Sequence, residues 1–265
     1  MHALWNLVAK GGADRLLTLA ALKLPNTLMA LALLAVVGLP AEPSFLHLLI
    51  SAALNALYFY CLSKAYEGDL SLAYPLARGT APLLVLMLSA MWVGEWPQAQ
   101  ALVGICLISL AIWVLLGQRR AGSPHGHTVG WALAVSACIA AYTVVDGLGA
   151  RLSGNVVGYV AALNVLTGVC VGGAAWWRRG TTALVRGVRA QWKQGIAGGA
   201  LMLMAYLIVV YALTLAPMAQ IAALRESSVI FAALLGVIFL KEPFGRWRVI
   251  AATVLAAGIM LIATA

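Results

Sequence analysis

Two arginines and two glutamates stand at matching places in two stretches long and apolar enough to cross a bilayer. Arg78 lies inside LSLAYPLARGTAPLLVLMLSAMWVGEWP, residues 70–97, and Glu95 closes that stretch. Arg225 and Glu242 hold the matching places in PMAQIAALRESSVIFAALLGVIFLKEPF, residues 217–244. Both pairs are separated by 147 positions (225 − 78 and 242 − 95), with no gap between them. A guanidinium in hydrocarbon costs about 2.5–3.5 kcal/mol on insertion scales. Each arginine must therefore face a polar cavity, a carboxylate or the carbonyls of a broken helix. A planar fork of donors suits the carboxylate of an anionic or zwitterionic small molecule. The blander alternative is structural pairing, Arg225 with adjacent Glu226 and Arg78 with a backbone end.

Two further acids can do chemistry. Glu226 and Asp146 would carry a proton if they sit in a low-dielectric cavity. The alternatives are a salt bridge to Arg225 for the first and a solvated helix-end acid, next to Gly147 and Gly149, for the second. Glu95 and Glu242 are expected to be structural. Each can cap the first N–H groups of the following helix and close a hairpin, with Pro97 and Pro243 sharpening the turn. Trp5, Asn6, Tyr74, Tyr142 and Gln220 join Arg78, Arg225 and Glu226 as residues that could line a cavity for a small organic molecule. Asn55, Tyr58, Thr143 and Tyr206 are of the same kind. Taken singly, each is as well explained by packing. Pro75, Gly79 and Pro82 are expected to break the helix around Arg78 and free carbonyls for a ligand.

The elements that must position these groups are membrane helices. Of 265 residues, 63% are hydrophobic and 9% charged, where a soluble domain carries about 25% charged residues. Mean hydropathy is +0.97 over the whole length. The class is an all-α polytopic membrane protein. The net charge of +9 does not point to nucleic acid, because the basic residues sit in short loops between apolar spans. They read as topogenic signals and as partners for anionic lipid headgroups. Cys61, Cys106, Cys138 and Cys170 all fall inside apolar spans, so neither a disulfide framework nor a metal site is expected.

Ten spans follow from the hydropathy. The first is a short piece up to about residue 9, less than half of the roughly 20 residues a span needs, and is expected to be short or truncated. The others run near 16–39, interrupted by Lys23 and Pro25, then 46–65, 70–93, 99–116, 129–147, 156–177, 195–215, 217–240 and 247–264. A polar linker at 118–128 divides an N-terminal half, 1–117, from a C-terminal half, 129–265. Between spans 7 and 8, TTALVRGVRAQWK carries Leu184, Val188 and Trp192 every four residues. It reads either as a helix lying in the membrane interface, anchored by Trp192, or as a basic disordered loop. Gly168 and Gly172 form a small-residue face for tight helix packing.

The repeat constrains how these spans are arranged. Spans 3 to 5 overlay spans 8 to 10 without gaps, and each half has five spans. An odd number places the second half upside down relative to the first, giving an inverted repeat with a midplane site, as in many secondary transporters. Each arginine lies about eight residues, or about 12 Å, along its span. The two arginines would approach the midplane from opposite sides.

HALWNLVAK in span 1, GDLSLAYPLARGTAPLL in span 4, CIAAYTVVDGLGAR in span 6 and LAPMAQIAALRESSVIFAALLGVIFLKEPF in span 9 resemble EamA-type members of the drug/metabolite transporter superfamily. The resemblance covers essentially the whole chain. It implies ten helices in two inverted five-helix halves and a secondary transporter of small metabolites such as amino acids, often an exporter. It also implies a bacterial inner (plasma) membrane and termini facing the cytoplasm. The loop charges point the other way, since loops 1–2, 3–4, 5–6, 7–8 and 9–10 hold nearly all the loop Lys and Arg.

No enzyme is expected. No Walker loop, HExxH or GxSxG occurs, so neither a catalytic residue nor a cofactor is assigned, and transport is not driven by ATP through this chain. The expected partners are a small-molecule substrate and membrane lipids, with no nucleic acid; proton coupling and a homodimer are kept open. The rival reading is a non-transporting membrane scaffold or subunit.

Overall fold

The computed structural model describes residues 15–65, 70–116, 126–228 and 246–265. Among them the fold is all-helical, with nine α-helices and one short 3-10 turn at Glu42–Ser44. The helices are α1 (Arg15–Val37), α2 (Phe45–Ala65), α3 (Leu70–Trp92), α4 (Ala99–Leu116) and α5 (Gly126–Leu152). They continue as α6 (Val156–Ala190), α7 (Trp192–Ala212), α8 (Met218–Arg225) and α9 (Arg246–Ala263). Six stretches, in α1, α2 with its preceding turn, α3, α5, α6 and α7, are long and apolar enough to cross a membrane; α4 and α9 contain shorter apolar helices. The short first span, most of the linker and the far part of span 9 lie outside the described residues.

Several helices outrun their hydropathy. Lys23 and Pro25 do not interrupt α1. Proline removes one backbone donor, and a lipid-buried helix tolerates that where a neighbour packs closely. Here a side chain on Gly195 of α7 would meet the Pro25 ring at 3.2 Å. Gly147 and Gly149 do not end α5, which runs on to Leu152. The expected break at Pro75, Gly79 and Pro82 is also absent, because α3 is continuous through both prolines. Pro82 cannot donate to the carbonyl four residues back, and Ser136 supplies an outside donor beside that place, Oγ to the Ala77 carbonyl at 2.8 Å. The basic stretch after span 7 is helical and not a disordered loop. It joins α6 across Gly180, whose φ of 76° and ψ of 165° are not helical. Glycine takes that conformation without a Cβ penalty.

Two compact units emerge. The first comprises Met1–Ala56 and Val145–Thr214, the second Leu57–Val144 and Leu215–Ala265. Each draws on both halves of the sequence, and α2 and α5 contribute to both. In the first, α1 packs along α6 and α7. Gly199 lets the α1 and α7 backbones close, since a Cβ there would meet the Asn26 backbone nitrogen at 2.9 Å. The core includes Ala30, Leu48, Tyr159, Leu163 and Val210. In the second unit α4 lies against α3 and α9, and α8 packs on α3. Gly104 and Gly258 meet where α4 crosses α9; a Cβ on Gly104 would come 2.7 Å from the Gly258 carbonyl.

Candidate functional site

Two arginines and one glutamate converge in the second unit. Arg78 is the ninth residue of α3, so more than two turns of helix set its depth. Arg225 is the last residue of α8. There the helix stops in the middle of its predicted span. Glu226 N–H donates to Ala223 O at 2.9 Å and Ser227 N–H to Leu224 O at 3.1 Å, a tightened final turn. The break that the sequence placed in the first copy of the repeat is therefore found in the second. It turns the Glu226 carboxylate toward α3.

Glu226 is fully buried, and its Oε2 lies 2.7 Å from Nε of Arg78. Nη2 of Arg78 also donates to Ser228 Oγ at 3.3 Å. Arg225 Nε is further off, 3.7 Å from Glu226 Oε1. The pairing of Arg225 with adjacent Glu226, read from sequence as the structural alternative, is present but is the longer of two. The closer ion pair is Arg78 with Glu226, whose carboxylate lies between the two guanidiniums.

Among the described residues the cluster holds two guanidiniums and one carboxylate, a formal charge of +1. The Arg225 side chain is 6% exposed and that of Arg78 12%. Nε and Nη2 of Arg225 are buried and have no hydrogen-bond partner among the described residues; Nε of Arg78 and both Glu226 oxygens also lack aligned hydrogen bonds, but Arg78 Nε and Glu226 Oε2 are in close ion-pair contact. A buried donor left unsatisfied costs about 1–3 kcal/mol, more when charged. A carboxylate or another compact anion would satisfy both donors and neutralise the excess charge.

The first unit holds the remaining acid. Asp146 is fully buried and not a solvated helix end. Its Oδ1 accepts from the Tyr159 hydroxyl at 3.1 Å, and its Oδ2 accepts from the Tyr206 hydroxyl. The correction has a local cause, since α5 extends six residues beyond Asp146. Its far end is held by Arg151, whose Nε and Nη2 donate to the Leu213 carbonyl at 3.0 and 2.8 Å. In the same unit Lys23 is buried, and Nζ donates to Asn164 Oδ1 at 2.8 Å. Asn164 Nδ2 in turn donates to the Val160 carbonyl at 2.9 Å.

The other predicted residues divide. Tyr142 is buried and meets Tyr58 edge to face, with centroids 5.9 Å apart. Asn55 and Thr143 bond back to their own helices, to Ser51 O at 2.9 Å and Ile139 O at 2.6 Å. Gln220 is half-buried on α8. Tyr74 lies on α3, with its side chain outside the described set; Trp5, Asn6 and Glu242 lie outside the described residues. Glu95 follows the turn at Gly94, whose φ is 72°. Its contact with a helix start lies far off in sequence. Oε2 accepts the Met218 N–H at 3.0 Å and so caps the start of α8. Sequence reasoning missed Ser228 and Lys23. The signal that singled out Arg78, an ionisable group inside a span, applied equally to Lys23, which was taken for an interruption.

The EamA-like transporter family is matched over residues 127–264. One solved crystal structure shares the fold, with a TM-score of 0.74 and 20% identity, covering 98% of this chain and 94% of that one. No curated protein matches the chain.

Proposed function

The chain belongs to the EamA-like transporter family and is an integral membrane transporter; from that premise we propose that it is a secondary transporter that exports small polar or amphipathic metabolites, such as amino acids or related compounds. It has ten spans in two inverted five-span repeats. Substrate is carried by alternating access around a midplane site, in a bacterial inner membrane. Arg225 receives the substrate's carboxylate, and Arg78 with Glu226 holds the site open to a single negative group. One observation carries this reading: a buried guanidinium whose Nε and Nη2 lack a hydrogen-bond partner among the described residues, next to a guanidinium already paired at 2.7 Å. Asp146, clamped by two phenol hydroxyls, is the group that couples transport to protons.

A thermal-shift screen of purified protein tests the substrate class, since a ligand that binds the native state raises apparent stability. Free amino acids and small carboxylic acids are expected to raise the midpoint, and their methyl esters are not. Equal shifts from acid and ester would remove the carboxylate from the site.

A further inference from the structure

The first unit carries a charged surface that transport does not use. Between residues 176 and 194 stand Arg178, Arg179, Arg186, Arg189 and Lys193, and no Asp or Glu occurs anywhere from 147 to 225. These five cations therefore have no carboxylate near them in sequence. Three of the chain's nine tryptophans, Trp176, Trp177 and Trp192, fall in the same short segment, and all are exposed.

The helix break organises them. At Gly180 the chain turns with φ at 76° and resumes as a helix over residues 181–190. Trp176 ties the two arms, Nε1 donating to Thr181 Oγ1 at 2.9 Å. Beyond the break the face bearing Gly187 packs toward Leu17 of α1, where a Cβ on that glycine would meet the leucine at 3.6 Å. Arg186 and Arg189 occupy the exposed face. They are three apart, so they are neighbours on the helix surface, about 5–6 Å apart at Cβ. Two forks at that spacing can hold one phosphate between them. Lys193 extends the patch past the end of α6, with its ammonium 5.6 Å from the Trp192 ring centroid.

The tryptophans fix the depth. Indole rings collect at the headgroup level of a bilayer, and here they stand on both sides of the arginines, with Trp177 85% exposed. An arginine pair flanked by such rings lies at the level of lipid phosphates. We propose that residues 176–193 form a binding site for an anionic phospholipid headgroup, in which Arg186 and Arg189 hold the phosphate, Arg178 and Lys193 extend the positive surface, and Trp177 and Trp192 lie at the glycerol level, beside the start of the acyl chains.

The test uses the full chain in vesicles of phosphatidylcholine with and without phosphatidylglycerol, each offered in brominated form to quench tryptophan fluorescence. Brominated phosphatidylglycerol is expected to quench more, per molecule, than brominated phosphatidylcholine. The Arg186→Gln/Arg189→Gln variant is expected to lower that preference by about fivefold for each arginine removed, while its helicity and thermal midpoint stay unchanged. Both positions are exposed, so the fold does not depend on them; Arg178→Gln alone gives a milder second variant. Equal quenching by the two lipids, or an undiminished preference in the double variant, would overturn the proposal. So would loss of the preference on adding inorganic phosphate, which would make the site a receptor for soluble anions.

Discussion

Nε of Arg78 lies 2.7 Å from Oε2 of Glu226, although the two residues are 148 positions apart and Glu226 has an arginine beside it in sequence. The contact ties the first copy of the repeated stretch to the second and, among the described residues, leaves Arg225 with the longer contact to the one shared carboxylate. Removing one partner of a buried pair is costed at about 3–5 kcal/mol, while replacing both with apolar groups is often neutral. Glu226→Leu is therefore expected to lower the thermal midpoint in detergent sharply. Arg78→Met/Glu226→Leu should recover much of the loss. A double variant as unstable as the sum of the singles would show that the two do not act as a pair.

Asp146 gives a prediction with two readouts. Asp146→Ala strands two phenol hydroxyls, at about 1–3 kcal/mol each if both stay buried. Asp146→Asn keeps an acceptor and the shape but cannot take up a proton. Thermal unfolding should rank alanine well below asparagine. In vesicles the asparagine variant should retain exchange yet lose uphill transport driven by a pH gradient. Uphill transport at the original rate would assign coupling elsewhere.

Lys23 and Asn164 form an asymmetric pair. Among the described residues the ammonium has one neutral partner and no carboxylate. Deleting the charge strands only an amide oxygen, at about 1 kcal/mol. Deleting the amide strands a buried cation, at about 3 kcal/mol or more. Chemical or thermal unfolding should therefore find Asn164→Leu less stable than Lys23→Met. The reverse order would mean that the lysine has another stabilising contact.

Where α4 crosses α9, Gly104 and Gly258 leave no room for side chains. A Cβ on Gly104 would lie 2.7 Å from the Gly258 carbonyl and 2.8 Å from Ile262 Cγ1. Gly104→Val forces the helices apart and is expected to cost about 1–3 kcal/mol, read as a lower midpoint in size-exclusion thermal scans. Gly130→Val is the control, since a Cβ on Gly130 meets nothing within 4 Å.

The sequence made the helices legible because each is a hydropathy run: α2, α3 and α4 begin and end within a residue of the spans read from composition. It misjudged what interrupts a helix. Pro25, Pro75 and Pro82 are strong breakers in water, yet in α1 and α3 they are carried through. In lipid the uninterrupted helix is the cheapest way to satisfy the remaining backbone groups. The stop after Arg225 has no proline or glycine to announce it. Arg78, Arg225 and Glu226 were found as rare charges in apolar stretches, but their pairing was not legible. It depends on a turn that aims Glu226 at a residue far away in the chain. The solvated helix-end alternative for Asp146 fails for a similar reason, since Gly147 and Gly149 suggest an end that tertiary packing does not impose. Glu95 sits at a helix end as its sequence position implied, and it accepts an N–H group of α8, a partner that only the fold brings near.

Counterflow in reconstituted vesicles reads out the role proposed for Arg225, receiving a substrate's negative group. Vesicles containing the wild-type chain, Arg225→Gln or Arg225→Lys would be loaded with unlabelled compounds and offered a labelled panel of amino acids and small carboxylic acids. The wild type should exchange at least one of them. Arg225→Gln should exchange none while keeping a normal unfolding profile, and Arg225→Lys should retain a small fraction, because a point charge replaces a two-pronged donor. Wild-type rates in Arg225→Gln, for a compound the wild type demonstrably carries, would contradict the assignment.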